Sequence, residues 1–140
     1  RDHDAAAFVQ LAGAGGRHEI VAALHALKCR ACDASTTWTS TTPFIAPRHV
    51  KARGANTLEG QVVAELASRG LPAPREVRIG SREALAEAHF HTFVRARRGK
   101  RRAPPSTRPV YLSLKFDERV SGPLALGYGA HFGLGQLQPA

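Results

Sequence analysis

One histidine lies among cations in a short segment whose residue types suit chemistry on phosphate. In residues 47–54, Arg48 precedes His49, and Lys51 and Arg53 follow it. An imidazole can take up a proton close to neutral pH. Guanidinium and ammonium groups bind phosphate and oppose negative charge that builds on its oxygens. The segment therefore predicts either a general base with phosphate-binding neighbours, or a basic surface loop in which the histidine is only solvated.

A second basic segment has the highest charge density of the chain. Six of the eight residues from 95 to 102 are cationic: Arg95, Arg97, Arg98, Lys100, Arg101 and Arg102. So much charge cannot be buried, and a polyanion is the partner that we expect for it. The alternative is a disordered basic loop without a specific partner.

Glycines recur near the end of the chain, in the sequence Leu-Gly-Tyr-Gly-Ala-His-Phe-Gly-Leu-Gly of residues 126–135. The four glycines of this segment are Gly127, Gly129, Gly133 and Gly135. A backbone without Cβ can approach a ribose-phosphate closely and present N–H groups to it. Ordinary turns also use glycine, so a simple turning segment is the alternative.

Three side chains within this glycine-rich segment are candidates for contact with a ligand. His131 could stack on a base, bond a phosphate or protonate a leaving oxygen, and we predict binding rather than catalysis. Tyr128 and Phe132 could stack on bases, or belong to the core. Elsewhere, His89 and His91 flank Phe90 in a predicted strand, where we expect them to be solvated or packed on the sheet.

Metal and nucleotide sites are disfavoured by the remaining motifs. Cys29 and Cys32 form one Cys-x-x-Cys, with only His18 and His25 near it, whereas a structural zinc site normally has four ligands. We therefore expect two incidental thiols, no metal and no cofactor. No glycine motif follows a strand and opens a helix, and no Ser-His-Asp spacing is visible, which argues against NTPases and hydrolases.

Composition indicates one basic domain with a phosphate-bearing partner. The 140 residues are 43% apolar, enough for a single core. Lys and Arg number 20 against 11 Asp and Glu, a formal charge of +9 that does not choose between RNA, DNA and a membrane surface. No apolar run approaches the roughly 20 residues of a membrane span, so we expect a soluble, cytoplasmic protein without a membrane partner. Methionine is absent, from which we expect a piece of a longer polypeptide.

The first half of the chain predicts a helical start, a strand and a capped helix. Apolar residues at helical spacing indicate two short helices in residues 5–31, which assigns residues 1–34 to an N-terminal helical segment. Residues 35–44 are rich in threonine, include Trp38 and predict a strand. Asn56 and Glu59 have the spacing of a capping box, and Gly70 marks the end of the helix that follows.

The second half of the chain predicts more strands, which complete the order of elements known from a common fold. Residues 76–80 alternate as a strand, residues 82–88 favour a short helix, and residues 90–97 and 109–116 predict a hairpin. A short segment at residues 123–126 takes the place of a second helix. Residues 35–140 are therefore predicted to form an α+β domain of the ferredoxin-like type, βαββαβ, with a glycine-rich C-terminal loop.

Four of these segments together resemble the RAMP superfamily of CRISPR RNA-binding proteins. They are residues 38–44, Pro47-Arg48-His49, Thr57-Leu58-Glu59-Gly60 and the glycine-rich end. The chain looks most like the processing part of the fused subunit of type I-G (formerly I-U) systems, over residues 36–139. It lacks the backbone-subunit domain that precedes this part in the fused protein, and its first 30 or so residues match nothing in that pattern.

The resemblance implies a metal-independent endoribonuclease that cuts precursor CRISPR RNA within its repeat and keeps hold of the product. A base takes the proton of a ribose 2′-OH, which attacks the adjacent phosphate and leaves a 2′,3′-cyclic phosphate. His49 takes the role of this base, and Arg48, Lys51 and Arg53 hold the phosphate. The implied partners are CRISPR repeat RNA and other subunits of a type I interference complex. Two alternatives are a non-catalytic RNA-binding subunit of such a complex and an unrelated basic nucleic-acid-binding protein.

Overall fold

The structure, a computed structural model, describes residues 14–90 and 106–140 and is of the α+β class. Its helices are α1 (Arg17–Ala26), α2 (Leu58–Ser68) and α3 (Arg82–Glu87). Its strands are β1 (Ala34–Ser40), β2 (Glu76–Ile79), β3 (Leu112–Ser121), β4 (Leu124–Ala125) and β5 (Gln136–Pro139). Two short 3₁₀ turns, Arg30–Cys32 and Ala130–Phe132, precede β1 and β5.

The five strands form one antiparallel sheet in the order β2-β3-β1-β5-β4. The two central strands pair Trp38 with Leu114, and on its other side Trp38 faces Pro139 of β5. The central pair is therefore joined by residues some 75 positions apart in the chain, so this sheet depends on long-range contacts.

Every second residue in the first half of β3 lies in the centre of the core, as predicted. Leu112, Leu114 and Phe116 are at most 2% exposed, whereas Lys115 between them is exposed. Trp38 of β1 and a stripe on α2 pack with them in one cluster. Burial of each such side chain stabilises the fold by about 1.5–3 kcal/mol, so this face of the sheet determines where α2 lies.

The predicted helix over α2 is confirmed, but its predicted cap is wrong by one residue. Thr57 is the N-cap, and its side-chain oxygen accepts a hydrogen bond from the Gly60 N–H at 3.0 Å. The third helical residue is then Gly60, which has no side chain to complete a capping box. A Cβ there would lie 2.7 Å from the Ala55 carbonyl oxygen, so this position favours glycine. The predicted stop at Gly70 is confirmed, since the helix ends at Ser68 and Gly70 has φ +67°.

The first strand is shorter than predicted, and the predicted short helix at residues 123–126 is a strand. β1 ends at Ser40, and Phe44 forms only an isolated bridge with Val110 beyond the break at Pro43. Leu124 and Ala125 pair with Leu137 and Gln136 at the edge of the sheet. Burial alternates through Leu124, Ala125 and Leu126, the period of a strand and not of a helix.

The predicted hairpin between residues 90–97 and 109–116 is wrong where it can be tested. Both hydrogen-bonding edges of β3 at residues 113–115 are occupied, by β1 on one side and β2 on the other. A third strand has no free backbone groups to pair with there. The proposed partner strand itself lies outside the described residues, apart from Phe90, which is buried after α3.

The remaining predicted elements have mixed outcomes. The strand at β2 and the short helix at α3 are confirmed. Of the two predicted N-terminal helices, the second is present as α1 and the first lies outside the described residues. Within residues 14–90 and 106–140, no helix has the length and apolar character needed to cross a membrane.

Candidate nucleic-acid interface

The basic loop, residues 47–54 between β1 and α2, presents its charged side chains to solvent. Arg48, His49, Lys51 and Arg53 are all exposed. The loop closes on itself through the Lys51 N–H, which donates to the Asn56 carbonyl at 2.9 Å. The structure therefore brings the four predicted phosphate-site residues together in one closed, cationic loop.

A single buried amide holds the base of this loop. Gln61 of α2 is 2% exposed, and its Oε1 accepts a hydrogen bond from the Arg48 N–H at 3.0 Å. Its Nε2 donates to the carbonyls of Arg48 at 3.3 Å and Asn56 at 3.1 Å. Because buried polar groups are stable only when paired, Gln61 positions the backbone on both sides of His49.

One turn further along α2, two side chains hold the glycine-rich loop, residues 126–135. Glu65 Oε2 accepts a hydrogen bond from the Gly127 N–H at 2.7 Å. Arg69 pairs with Glu65 at 3.3 Å and also donates to the Ala125 carbonyl just before the loop. Gln61, Glu65 and Arg69 are spaced four residues apart, so they lie on one face of α2. This face contacts the basic loop at one end and the glycine-rich loop at the other.

The chain between β1 and the basic loop holds the glycine-rich loop from its other side. The Tyr128 N–H donates to the Ile45 carbonyl at 2.8 Å, and the Gly135 N–H donates to the Pro43 carbonyl at 2.9 Å. Thr42 Oγ1 donates to the Gly133 carbonyl at 2.7 Å. The segment that leads directly into the basic loop is therefore also the segment on which the glycine-rich loop is held.

Two of the glycines are required by this packing. Gly127 has φ +91°, and a Cβ on it would lie 2.6 Å from the Ile45 carbonyl oxygen. A Cβ on Gly135 would clash with the Leu126 carbonyl. Their N–H groups donate to Glu65 and Pro43, so these two glycines do not present free N–H groups to a phosphate. Their predicted part in RNA binding stays a prediction, and it would act through the shape of the loop.

The tip of the glycine-rich loop points its side chains outward. Gly129 and Gly133, both with left-handed backbone, bracket the 3₁₀ turn Ala130–Phe132. His131 is exposed, and Phe132 is 90% exposed. Tyr128, by contrast, is half-buried. The alternative that Phe132 belongs to the core is therefore wrong.

The other sequence candidates do not join this corner. The six cations of residues 95–102 and His91 lie outside the described residues. His89 follows α3 with φ +53° and is exposed, not on a strand as predicted. Cys29 and Cys32 are free thiols, and in the part of the chain that the structure describes no three His, Cys, Asp or Glu side chains are grouped as metal ligands.

The sheet face opposite the helices is polar and carries mixed charge. Thr37, Ser113 and Lys115 line a shallow depression there with Glu76 and Arg78. Arg78 Nε lies 2.5 Å from Glu76 Oε1, and this hydrogen bond lowers the pKa of the Glu76 carboxyl below its ordinary value. This face has fewer free cations than the basic loop, because one arginine is paired.

Sequence reasoning missed the three residues of α2 that bring the two loops together. Gln61, Glu65 and Arg69 were not candidates, since none of them is in a basic or glycine-rich segment. The available signal was their four-residue spacing, which places three polar side chains on one face of the helix. Their partners, up to 62 residues away, were not visible in the sequence.

Comparison with known proteins gives no match: no protein-family model, no curated protein and no solved structure matches the chain.

Proposed function

We propose that this chain is an RNA-binding domain of the RAMP type that binds CRISPR repeat RNA and cleaves precursor CRISPR RNA within the repeat. The observation that supports it most is the shared corner of the two loops. One face of α2 holds Arg48 of the basic loop through Gln61 and Gly127 of the glycine-rich loop through Glu65. Residues four apart on a helix are about 5–6 Å apart, so a single RNA strand can contact both loops.

The fold is compatible with this proposal. The order β2-β3-β1-β5, with α2 between β1 and β2, suits a ferredoxin-like domain. In the position of the second helix, the chain has the edge strand β4 and the 3₁₀ turn of the glycine-rich loop. We therefore propose a ferredoxin-like domain in which this loop replaces the second helix.

Charge supports a nucleic acid as the ligand, and the glycine-rich segment favours RNA. The formal charge of +9 attracts a polyphosphate backbone, and the exposed cations of the basic loop can contact it directly. RNA is proposed over DNA because the glycine-rich end is similar to the RAMP loop. The cations of residues 95–102 are proposed to add affinity along the RNA backbone.

In the proposed reaction His49 acts as the general base. Its imidazole takes the proton from a ribose 2′-OH, and the oxygen attacks the adjacent phosphorus. The bond from phosphorus to O5′ breaks, O5′ takes a proton from solvent, and a 2′,3′-cyclic phosphate remains. The imidazolium of His49 then returns its proton to solvent. Arg48, Lys51 and Arg53 oppose the negative charge on the phosphate oxygens, and positioned acid–base catalysis contributes about 100- to 10,000-fold.

A second candidate function is a non-catalytic RNA-binding subunit of a type I interference complex in the cytoplasm. The observation that favours it is the environment of His49. Its side chain is exposed, and no hydrogen bond to its ring is present within residues 14–90 and 106–140. A general base is usually oriented by a hydrogen-bond partner. If the protein supplies no such partner, the bound RNA itself would have to orient this ring.

The test is incubation of end-labelled CRISPR repeat RNA with the protein in excess EDTA. We compare the wild type with His49→Ala, with His18→Ala as an exposed-histidine control, and with RNA that carries a 2′-deoxy nucleotide at the cut. A discrete cut that is lost in His49→Ala and in the deoxy RNA, but kept in His18→Ala, supports the nuclease. Binding without a cut supports the second candidate, and equal affinity for unrelated RNA contradicts both.

A further inference from the structure

We propose that Phe132 is a stacking platform for an unpaired base of the bound RNA. This inference rests on the proposed RNA binding and adds the mode in which the glycine-rich loop contacts its ligand. The unusual feature of Phe132 is the exposure of its side chain, not its position in a motif.

The exposure of Phe132 is far above that of any other large apolar side chain among the described residues. Phe132 is 90% exposed, whereas Leu27, Ile79 and Val50 follow at 61%, 53% and 50%. These other three lie on separate elements: after α1, in β2 and in the basic loop. A phenyl ring so far in water forgoes the stabilisation that burial gives, which a bound ligand could recover.

The loop that carries Phe132 holds the backbone of this residue in place. Phe132 N–H donates to the Gly129 carbonyl at 2.8 Å, and Leu134 N–H donates to the same carbonyl at 3.2 Å. Thr42 Oγ1 fixes the far side of the turn through the Gly133 carbonyl at 2.7 Å. A ring on a fixed backbone loses little conformational freedom on binding, so more of the stacking free energy contributes to affinity.

The surroundings of the ring favour a nucleobase over a protein pocket. Along the chain Phe132 is flanked by His131, which is exposed, and by Gly133, and the apolar residues two positions away, Ala130 and Leu134, are half-buried. A protein-docking anchor normally lies in a wider apolar patch, whereas a base needs only the face of one ring. The net charge of +9 also draws a polyanion to the domain.

The experiment measures affinity for a fluorescein-labelled, unstructured RNA of mixed sequence and about 12 nucleotides, within the range that one small domain covers. Fluorescence anisotropy is recorded for the wild type, Phe132→Ala, Phe132→Leu and Phe132→Trp. Loss of one base stack weakens binding by about 5- to 150-fold. We expect this loss in the alanine variant and in the leucine variant, which keeps an apolar side chain but has no aromatic face.

The tryptophan variant gives a direct readout of stacking. We expect it to retain affinity, and its indole fluorescence to be quenched when RNA is added. The wild type, in which Trp38 is fully buried, is the control for this signal. Thermal unfolding of all four proteins should coincide, because the side chain contributes little to the folded core.

Two outcomes separate this inference from the proposed function. If the wild type binds RNA and the alanine and leucine variants bind equally well, stacking is overturned while RNA binding stands. That result is the one expected if Phe132 docks on a protein. If the wild type binds neither this RNA nor CRISPR repeat RNA, the proposed function and this inference are both overturned.

Discussion

At the scale of single residues, Gln61 illustrates how a side chain without reactive chemistry can control a site. Its amide is buried and makes three hydrogen bonds, two to Arg48 and one to Asn56. His49 follows Arg48 directly, so the backbone that carries the proposed base is fixed from the helix below. The role of Gln61 is therefore to position the loop, not to contact RNA.

Replacement of Gln61 by leucine should destabilise the fold. The leucine variant keeps the apolar volume but removes the partner of the Arg48 N–H and the Arg48 carbonyl, which costs about 1–3 kcal/mol in the free energy of unfolding. Urea denaturation measures this loss. Ala67→Gln, at an exposed position of the same helix, is the control and should change stability by less than about 0.5 kcal/mol. A Gln61→Leu variant as stable as the wild type would contradict the positioning role.

At the scale of elements, the glycine-rich loop favours glycine for two reasons, packing and backbone conformation. A matched pair of variants can separate these two reasons. Gly127 and Gly133 both have left-handed backbone, with φ of +91° and +87°. A Cβ on Gly127 meets the Ile45 carbonyl and the Phe44 ring, whereas a Cβ on Gly133 has nothing within 4 Å. At Gly127, both packing and backbone conformation therefore favour glycine. At Gly133, only backbone conformation does.

Gly127→Ala should accordingly cost more than Gly133→Ala. A left-handed backbone costs an alanine about 1–2 kcal/mol, so the free energy of unfolding falls by this amount in both variants. Overpacking adds about 1–3 kcal/mol at Gly127 only. Chemical denaturation of the two variants measures the difference. Equal losses would mean that the loop does not pack on the Phe44–Ile45 segment as described.

The exposed edge strand β2 should add a small pH dependence to stability. The hydrogen bond from Arg78 lowers the pKa of Glu76 below its ordinary 4.5, so the folded state favours the ionised carboxyl. This stabilisation is present above the unfolded pKa and is lost as the pH falls through the folded pKa. We expect the stability difference between wild type and Glu76→Gln to shrink in acid and in high salt. A difference that grows in acid would contradict the sign of the shift.

At the scale of the whole molecule, the distribution of charge favours one surface for the proposed RNA binding. Among the described residues, no ion pair involves the cations of the basic loop, while the open face of the sheet has Lys115 near a paired Glu76 and Arg78. Both surfaces could attract phosphate at long range. Only the first of them lies at the corner where α2 fixes two loops.

The salt dependence of RNA affinity can tell these two surfaces apart. For single strands, the slope of log affinity against log salt is about 0.7 per phosphate contacted. Lys51→Ala should reduce this slope by about 0.7, whereas Lys115→Ala should leave it unchanged. Titrations of the same single-stranded RNA at several salt concentrations measure both. The reverse pattern would place the RNA on the open sheet face.

Local patterns in the sequence were enough to predict features that depend on local physics. Alternation predicted the buried face of β3, helical spacing and Gly70 predicted α2 and its end, and charge predicted an exposed loop around His49. Each of these follows from side chains close together in the chain, through period, backbone preference or the cost of burying charge. The charge and the glycines also directed attention to the two loops that the structure brings to one corner.

The tertiary structure decided what depends on distant partners. Thr57 and not Asn56 caps α2, and the Asn56 carbonyl instead accepts hydrogen bonds from Lys51 and Gln61. Residues 124–125 form a strand because β5 offers them an edge. Glu65 and Gly127 meet across 62 residues, and Thr42 and Gly133 across 91. No local pattern encodes such pairs, since they exist only once the sheet has brought distant segments of the chain together.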